Sequence, residues 1–220
     1  MAPTLYSFPA SPCVRAVIIT AEAIGLELNH YNVDLMNGEH LSEKFLKINP
    51  LHTVPTLDDN GNILRDSHII NAYIIEKYTK NKSLYPEDHY ERALVQQGLA
   101  FDCCYLYPIL RDIDVAYYKK EITCLTPSMI EKTIAVYDLV ETLLKKTNFI
   151  AIDHVTLADI SCYTTITSLD YHIPITPEKY PKISNWIKVC AKMPMFEGDT
   201  KNLKSFHDLM KRVGAKPHHL

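Results

Sequence analysis

The sequence predicts an α/β unit followed by an all-α unit. Three observations carry this reading. Residues 1–80 alternate short apolar runs with helical spacing, in the order β-α-β-α-β-β-α. From about residue 88 the spacing is helical almost throughout. Between the two, "TKNKSLYPED" (79–88) is polar, contains Pro86 and reads as a linker. Domains of 1–80 and 88–220 fit the 220-residue length, which is enough for a real core.

The elements follow in order. "TLYSF" (4–8) is strand-like. Ser11 is an N-cap candidate with Pro12 at the first helical position. Val14, Val17, Ile18, Ala21 and Ile24 then recur near helical spacing until Gly25 can close the helix. "ELNHYNVDL" (27–35) reads as a second strand. A short helix over 42–48 stops at Asn49-Pro50. "VPTLDDNGNILRD" (54–66) reads as two strands joined at Asn60-Gly61, a strong hairpin signal. A helix runs from Ser67 to about Tyr78.

Further helices are expected at about 88–120, 126–146, 156–170, 180–193 and 199–212, with Pro108 kinking the first near Cys104. In "HVTLADIS" (154–161), Thr156 and Asp159 form a capping box, and Val155 and Ile160 a hydrophobic staple. This is a folding device without chemistry.

Composition excludes several classes. A net charge of −3 gives no electrostatic case for nucleic acid or an anionic membrane. The N-terminus lacks the pattern of a signal peptide, and no apolar run reaches the roughly 18 residues a membrane span needs. The six cysteines contain no CxxC pair, so zinc-site spacing is absent and no metal is expected. Free thiols and a cytoplasmic location follow as the expectation.

Three stretches offer chemistry. In "ASPCVR" the simplest reading is a capped helix start. The same geometry favours an anion, and the Ser11 hydroxyl could donate to a thiolate there. A competing idea makes Cys13 the reactive thiol. In "NPLHTVP" (49–55), Pro55 either opens a strand in the trans form or, if cis, turns the Val54 backbone outward to pair with an extended peptide; His52 alone reads as solvated. In "LRDSHII" (64–70), either Asp66 is a simple cap, or a carboxylate docks on the Ser67 N–H and hydroxyl while Asp66 faces an ammonium group, a site suited to the α-amino-acid end of a small peptide. Tyr105, Tyr107, Leu110, Asp114 and Tyr118 could share one side of a helix. Core packing is the default, but tyrosine hydroxyls need partners and Asp114 is costly to bury.

Ser11-Pro12 with Arg15, "GEHL" (38–41), "NPLHTVPTL" (49–57), "DSH" (66–68) and "TLADIS" (156–161) together resemble a cytosolic glutathione transferase of the insect delta/epsilon kind, the epsilon class most closely. The resemblance covers nearly the whole chain. It implies a thioredoxin-like N-terminal domain holding glutathione, an all-helical C-terminal domain forming the hydrophobic substrate pocket, a homodimer and a cis Val54–Pro55 bond. It makes Ser11 the residue that hydrogen-bonds the glutathione sulfur. His40 and His52 would contact the glycyl end. Thr53, Val54 and Pro55 would form the edge whose Val54 backbone pairs with the cysteinyl part. Asp66 and Ser67 would hold the γ-glutamyl end, with His68 and Arg111 close by. Tyr107, Leu110, Asp114, Tyr118 and Phe206 would face the second substrate.

The sequence departs from the family pattern at Cys13, usually proline; at Asp66, usually Glu; at Asp114, typically aromatic; and at Ile152, commonly glycine. "DSH" is shared with the Noppera-bo subgroup linked to ecdysteroid production, but the acidic residue expected to face the steroid there aligns with Leu110, with Asp112 and Asp114 nearby. The implied activity is conjugation of glutathione to hydrophobic electrophiles, as in xenobiotic and insecticide detoxification. A non-catalytic carrier of hydrophobic ligands, or a Noppera-bo-like enzyme of ecdysteroid metabolism, is the alternative.

Overall fold

In the computed structural model, which describes residues 1–219, four short strands form one mixed sheet in the order β2-β1-β3-β4. They are β1 (Thr4–Ser7), β2 (Asn29–Asn32), β3 (Thr56–Asp59) and β4 (Asn62–Arg65). β1 is parallel to β2 and antiparallel to β3, and β3 and β4 form the hairpin turned at Asn60-Gly61. Both turn residues have positive φ, 54° and 91°, which is why Asn and Gly occupy them. The parallel β1–β2 pair needs a crossover, supplied by α1 (Pro12–Ala23).

Side-chain alternation along β1 sets the layers. Leu5 and its partner Leu57 face Val14 and Val17 of α1 and Ile70 and Ile74 of α3 (Ser67–Tyr78), forming a dry core. Tyr6 points the other way and meets Phe45 of α2 (Glu43–Ile48) edge-on at 5.9 Å. β2 is shorter than the alternation predicts, and all four of its residues are exposed. It lies at the sheet edge, with β1 as its one neighbour.

The remaining helices are α4 (His89–Phe101), α5 (Tyr107–Tyr118), α6 (Pro127–Leu143), α7 (Leu157–His172), α8 (Pro181–Ala191), α9 (Pro194–Glu197) and α10 (Asp199–Arg212). The kink expected at Pro108 takes the form of a single π turn, Asp102–Leu106, between α4 and α5. Proline lacks an N–H and crowds the carbonyl four residues back, here Cys104, and the wider turn accommodates both.

α7 is the central helix, buried along nearly its whole length. Gly98 lets α4 lie against it: a Cβ at that position would stand 2.5 Å from the Ala158 Cβ. Both halves of the Thr156–Asp159 capping box form. Asp159 also accepts from the Ile150 N–H at 2.8 Å and the Trp186 indole at 3.0 Å. The motif therefore ties the preceding loop and α8 to the start of α7 as well as capping it.

Candidate functional site

Strand register brings the candidate residues together. The end of β1 (Ser7) pairs with the end of β2 (Asn32), and the start of β3 (Thr56) pairs with Tyr6 and with the end of β4 (Arg65). The segments leaving or entering at this end of the sheet carry Ser11, His40, His52-Thr53-Val54-Pro55 and Asp66-Ser67. The Val54–Pro55 bond is cis. Asn49 fixes the loop before it: its fully buried amide donates to the Thr53 carbonyl at 3.0 Å and to the Thr56 hydroxyl at 2.9 Å. His52 is exposed with φ 47°, and its ring stands 6.1 Å from that of His40. Burial, then the nearby His52, pulls the His40 imidazole below its usual value, so that ring is neutral near pH 7.

Ser11 is the N-cap of α1, its Oγ accepting from the Val14 N–H at 3.5 Å. A capping hydroxyl uses a lone pair in this role, so the Ser11 O–H remains free to donate. Cys13, one turn in, lies against Tyr107 and Ser67. Burial and the charge of Asp102 push its thiol up to about 12. Desolvation here works against the helix end, which disfavours the competing idea of an activated Cys13 thiol.

At the start of α3, Asp66 sits at φ 70°, uncommon for a residue with a Cβ. Its carboxylate accepts from the His68 N–H at 2.9 Å and the Ile69 N–H at 3.4 Å. The simple capping role read for Asp66 therefore forms, on the N–H groups of His68 and Ile69. Ser67 itself is buried, and Asp66 is half-exposed. His68 bridges two carboxylates, Nδ1 to Asp66 Oδ1 at 3.0 Å and Nε2 to Asp102 Oδ2 at 2.9 Å.

The opposite wall is α5. Tyr107, Arg111, Asp114 and Tyr118 form a stripe at helical spacing, while Leu110, Ile113 and Tyr117 face inward. Leu110 is fully buried and Phe206 is 2% exposed, both in the helical core, so neither lines the opening as expected. Within α5, Arg111, four residues after Tyr107, takes the place in the stripe that the sequence reading gives to Leu110, three residues after it. Asp114 is held by His172 Nε2 at 2.8 Å, and burial raises its carboxyl above the ordinary range. Tyr118 donates its hydroxyl to the Met36 sulfur at 3.0 Å, across the mouth of the cleft between α5 and the loop after β2.

Two family models match: the glutathione S-transferase N-terminal domain over residues 5–82 and the glutathione S-transferase C-terminal domain over residues 124–194. Glutathione S-transferase 1 of Manduca sexta is 39% identical over 90% of this chain and 91% of its own. The chain belongs to the glutathione S-transferase family. An epsilon-class glutathione S-transferase of the housefly Musca domestica superposes with a TM-score of 0.93 at 36% identity, covering 97% of this chain and 99% of the other. A glutathione transferase homologue from Drosophila mojavensis, solved with bound glutathione, also gives 0.93 at 36% identity, covering 99% of both chains. The thioredoxin-like sheet followed by a helical domain is the architecture of this family.

Three residues of this glutathione S-transferase escape a reading of its sequence. Asn49 could be suspected only from its place before a proline. Asp102 and His172 carry no local signal: each is defined by a partner 34 or 58 residues away.

His68 gives a pH prediction. Burial alone would lower its value, but the Asp102 and Asp66 carboxylates more than offset this and raise it from 6.5 to about 9. A raised histidine contributes stability that is fully present below its unfolded value and is lost as pH rises through the folded one. The stability gap between wild type and His68→Gln, measured by urea unfolding, is therefore expected to narrow from pH 6.5 to 9. At about 1.4 kcal/mol per unit, the ceiling is about 3 kcal/mol. A gap constant across that window would exclude the charged ring.

Proposed function

We propose that this enzyme binds reduced glutathione along the end of the sheet and conjugates it to hydrophobic electrophiles that enter from the α5 side. The observation that carries the reading is the convergence of the Ser11 helix tip, the cis Val54–Pro55 edge and the Asp66-Ser67 helix start at one end of the sheet. Residues 1–80 would hold glutathione, and residues 88–220 would build the second pocket.

The tripeptide lies extended along the Val54 backbone. Asp66 and Ser67 receive its γ-glutamyl end, with His68 and Arg111 nearby, and His40 and His52 meet the glycyl end. A free thiol of pKa about 8.5 is only a few per cent ionised at neutral pH. The free Ser11 hydroxyl and the tip of α1 favour the thiolate. The thiolate attacks an electrophilic carbon, whose leaving group departs with the electron pair, or it removes a proton in a dehydrohalogenation. Serine donates a hydrogen bond throughout and forms no covalent bond. Tyr107, Asp114 and Tyr118 face the second substrate. This suits apolar compounds that carry a polar group, and detoxification of such compounds is the role we infer.

A homodimer belongs to this reading on the strength of the family resemblance. All six cysteines are free, which suits a reducing compartment. No helix among the described residues is long and apolar enough to cross a membrane.

The test is conjugation of glutathione to a generic aromatic halide, with glutathione affinity measured in parallel. Glutathione-dependent turnover is the expected result. Tight binding of apolar ligands with negligible turnover would favour a carrier, and absence of glutathione binding would remove the assignment of the sheet end.

A further inference from the structure

The corner formed by the start of α3 and the π turn holds a metal-ligand set that shares Asp66 with the proposed glutathione site and adds Cys103 to it. Asp66, His68 and Cys103 each present one donor atom, and these three atoms lie within 4.8 Å of one another. Their types are oxygen, nitrogen and sulfur, the donors that a borderline cation such as Zn²⁺ accepts together. His68 is already oriented as a metal-bound histidine would be. Its Nε2 is anchored on Asp102 Oδ2 at 2.9 Å, leaving Nδ1 to face Asp66 and Cys103. A carboxylate behind the ring fixes its orientation and raises its basicity as a ligand. Asp102 is 4% exposed, and its other oxygen, Oδ1, has no hydrogen-bond partner among the described residues. That is an unusual concentration of negative charge behind a single imidazole.

We propose that Asp66, His68 and Cys103 bind a borderline divalent cation of the Zn²⁺ type, with Asp102 positioning the His68 ring. The metal replaces the proton held between Nδ1 and Asp66 and displaces the thiol proton of Cys103. Donors around a tetrahedral Zn²⁺ stand about 3.3–3.8 Å apart, given bonds of about 2.0–2.3 Å. The exposed side chains of Asp66 and Cys103 can close that small difference by rotation. Three protein ligands leave a fourth position for water or an added ligand. If Asp66 also receives the γ-glutamyl ammonium of glutathione, the cation and the tripeptide exclude each other. That overlap rests on the function proposed above; metal binding does not.

Co²⁺ is a spectroscopic probe for this site in the intact chain. Titration is expected to give one equivalent per chain with a thiolate-to-metal charge-transfer band. The band should persist in Cys104→Ser and Cys124→Ser and vanish in Cys103→Ser. Asp102→Asn should weaken Co²⁺ about 10–100-fold while keeping the band. No thiolate band, or one of full strength in Cys103→Ser, would overturn the proposal, and circular dichroism verifies that the exposed Cys103 variant is folded. S-methylglutathione, which has no free thiol, should raise the apparent Kd of Co²⁺ as its concentration rises. A band indifferent to bound S-methylglutathione removes the overlap. A band in a protein that does not bind S-methylglutathione removes the glutathione reading and leaves the metal site standing.

Discussion

Replacing Ser11 with alanine is expected to lower kcat/KM for glutathione conjugation by about 10²–10³-fold, the usual loss when one preorganised donor to a developing or held anion is removed. The ultraviolet absorbance of the bound thiolate should move to higher pH in the same variant. Ser11 also caps α1 through the Val14 N–H, so alanine costs about 1 kcal/mol of stability in addition. Two companion variants separate the effects. Glycine loses the hydroxyl but costs only a few tenths of a kcal/mol as a cap, so Ser11→Gly should be slow yet nearly as stable as wild type. Ser11→Thr keeps the donor and should recover much of the rate. A thiolate that persists at neutral pH in the alanine variant, with turnover unchanged, would show that the sulfur is held by other groups.

The second large effect is on folding. Arg15 follows Ser11 by one turn, but its side chain is fully buried and leads away from the sheet end into the helical domain. There it forms a bidentate pair with Asp199 at the start of α10, Nε to Oδ1 at 2.7 Å and Nη2 to Oδ2 at 2.6 Å. Its remaining N–H groups reach the Thr164 carbonyl and the Ser168 and Thr167 hydroxyls on α7. Arg15→Ala leaves Asp199 and two α7 hydroxyls in the interior without their partner. The expected loss is about 3–5 kcal/mol by urea unfolding, the range for breaking a buried pair from one side. Arg15→Met combined with Asp199→Leu should recover most of it, because the cost lies in the unpaired charge and not in the absence of the bond. A loss below about 1 kcal/mol in the single variant would mean that water reaches the pair.

The contrast between these two residues marks what the sequence discloses. Local devices are legible because their cause is local: the Asn60-Gly61 turn, the Thr156–Asp159 box, the Ser11-Pro12 start and the break at Pro108 all form. The order of strands and helices is legible for the same reason. Convergence of Ser11, Val54 and Asp66 is a property of register and crossover, and it entered through the family resemblance rather than through periodicity. β2 reads long because alternation continues past the point where its single neighbour ends. Leu110 reads as a pocket residue because apolar side chains at helical spacing look alike on either face, and Phe206 is placed there by the family resemblance alone. What separates the faces is what each helix packs against, and for Leu110 the choice between neighbours three and four residues from Tyr107.

The extra residue of the π turn has a reach beyond its own five positions. One residue corresponds to about 100° of rotation in a regular helix. Were the same residues 102–106 wound as regular α-helix, α5 would roll by about that angle and bring Leu110 and Ile113 to the side that Tyr107 and Asp114 now occupy. The polarity of the proposed substrate chamber is therefore a matter of angular phase, set upstream of the α5 residues assigned to it. Deleting one residue within 102–106 should straighten the helix and keep the faces of α5 in place, whereas a change that winds the same residues as α-helix should turn them.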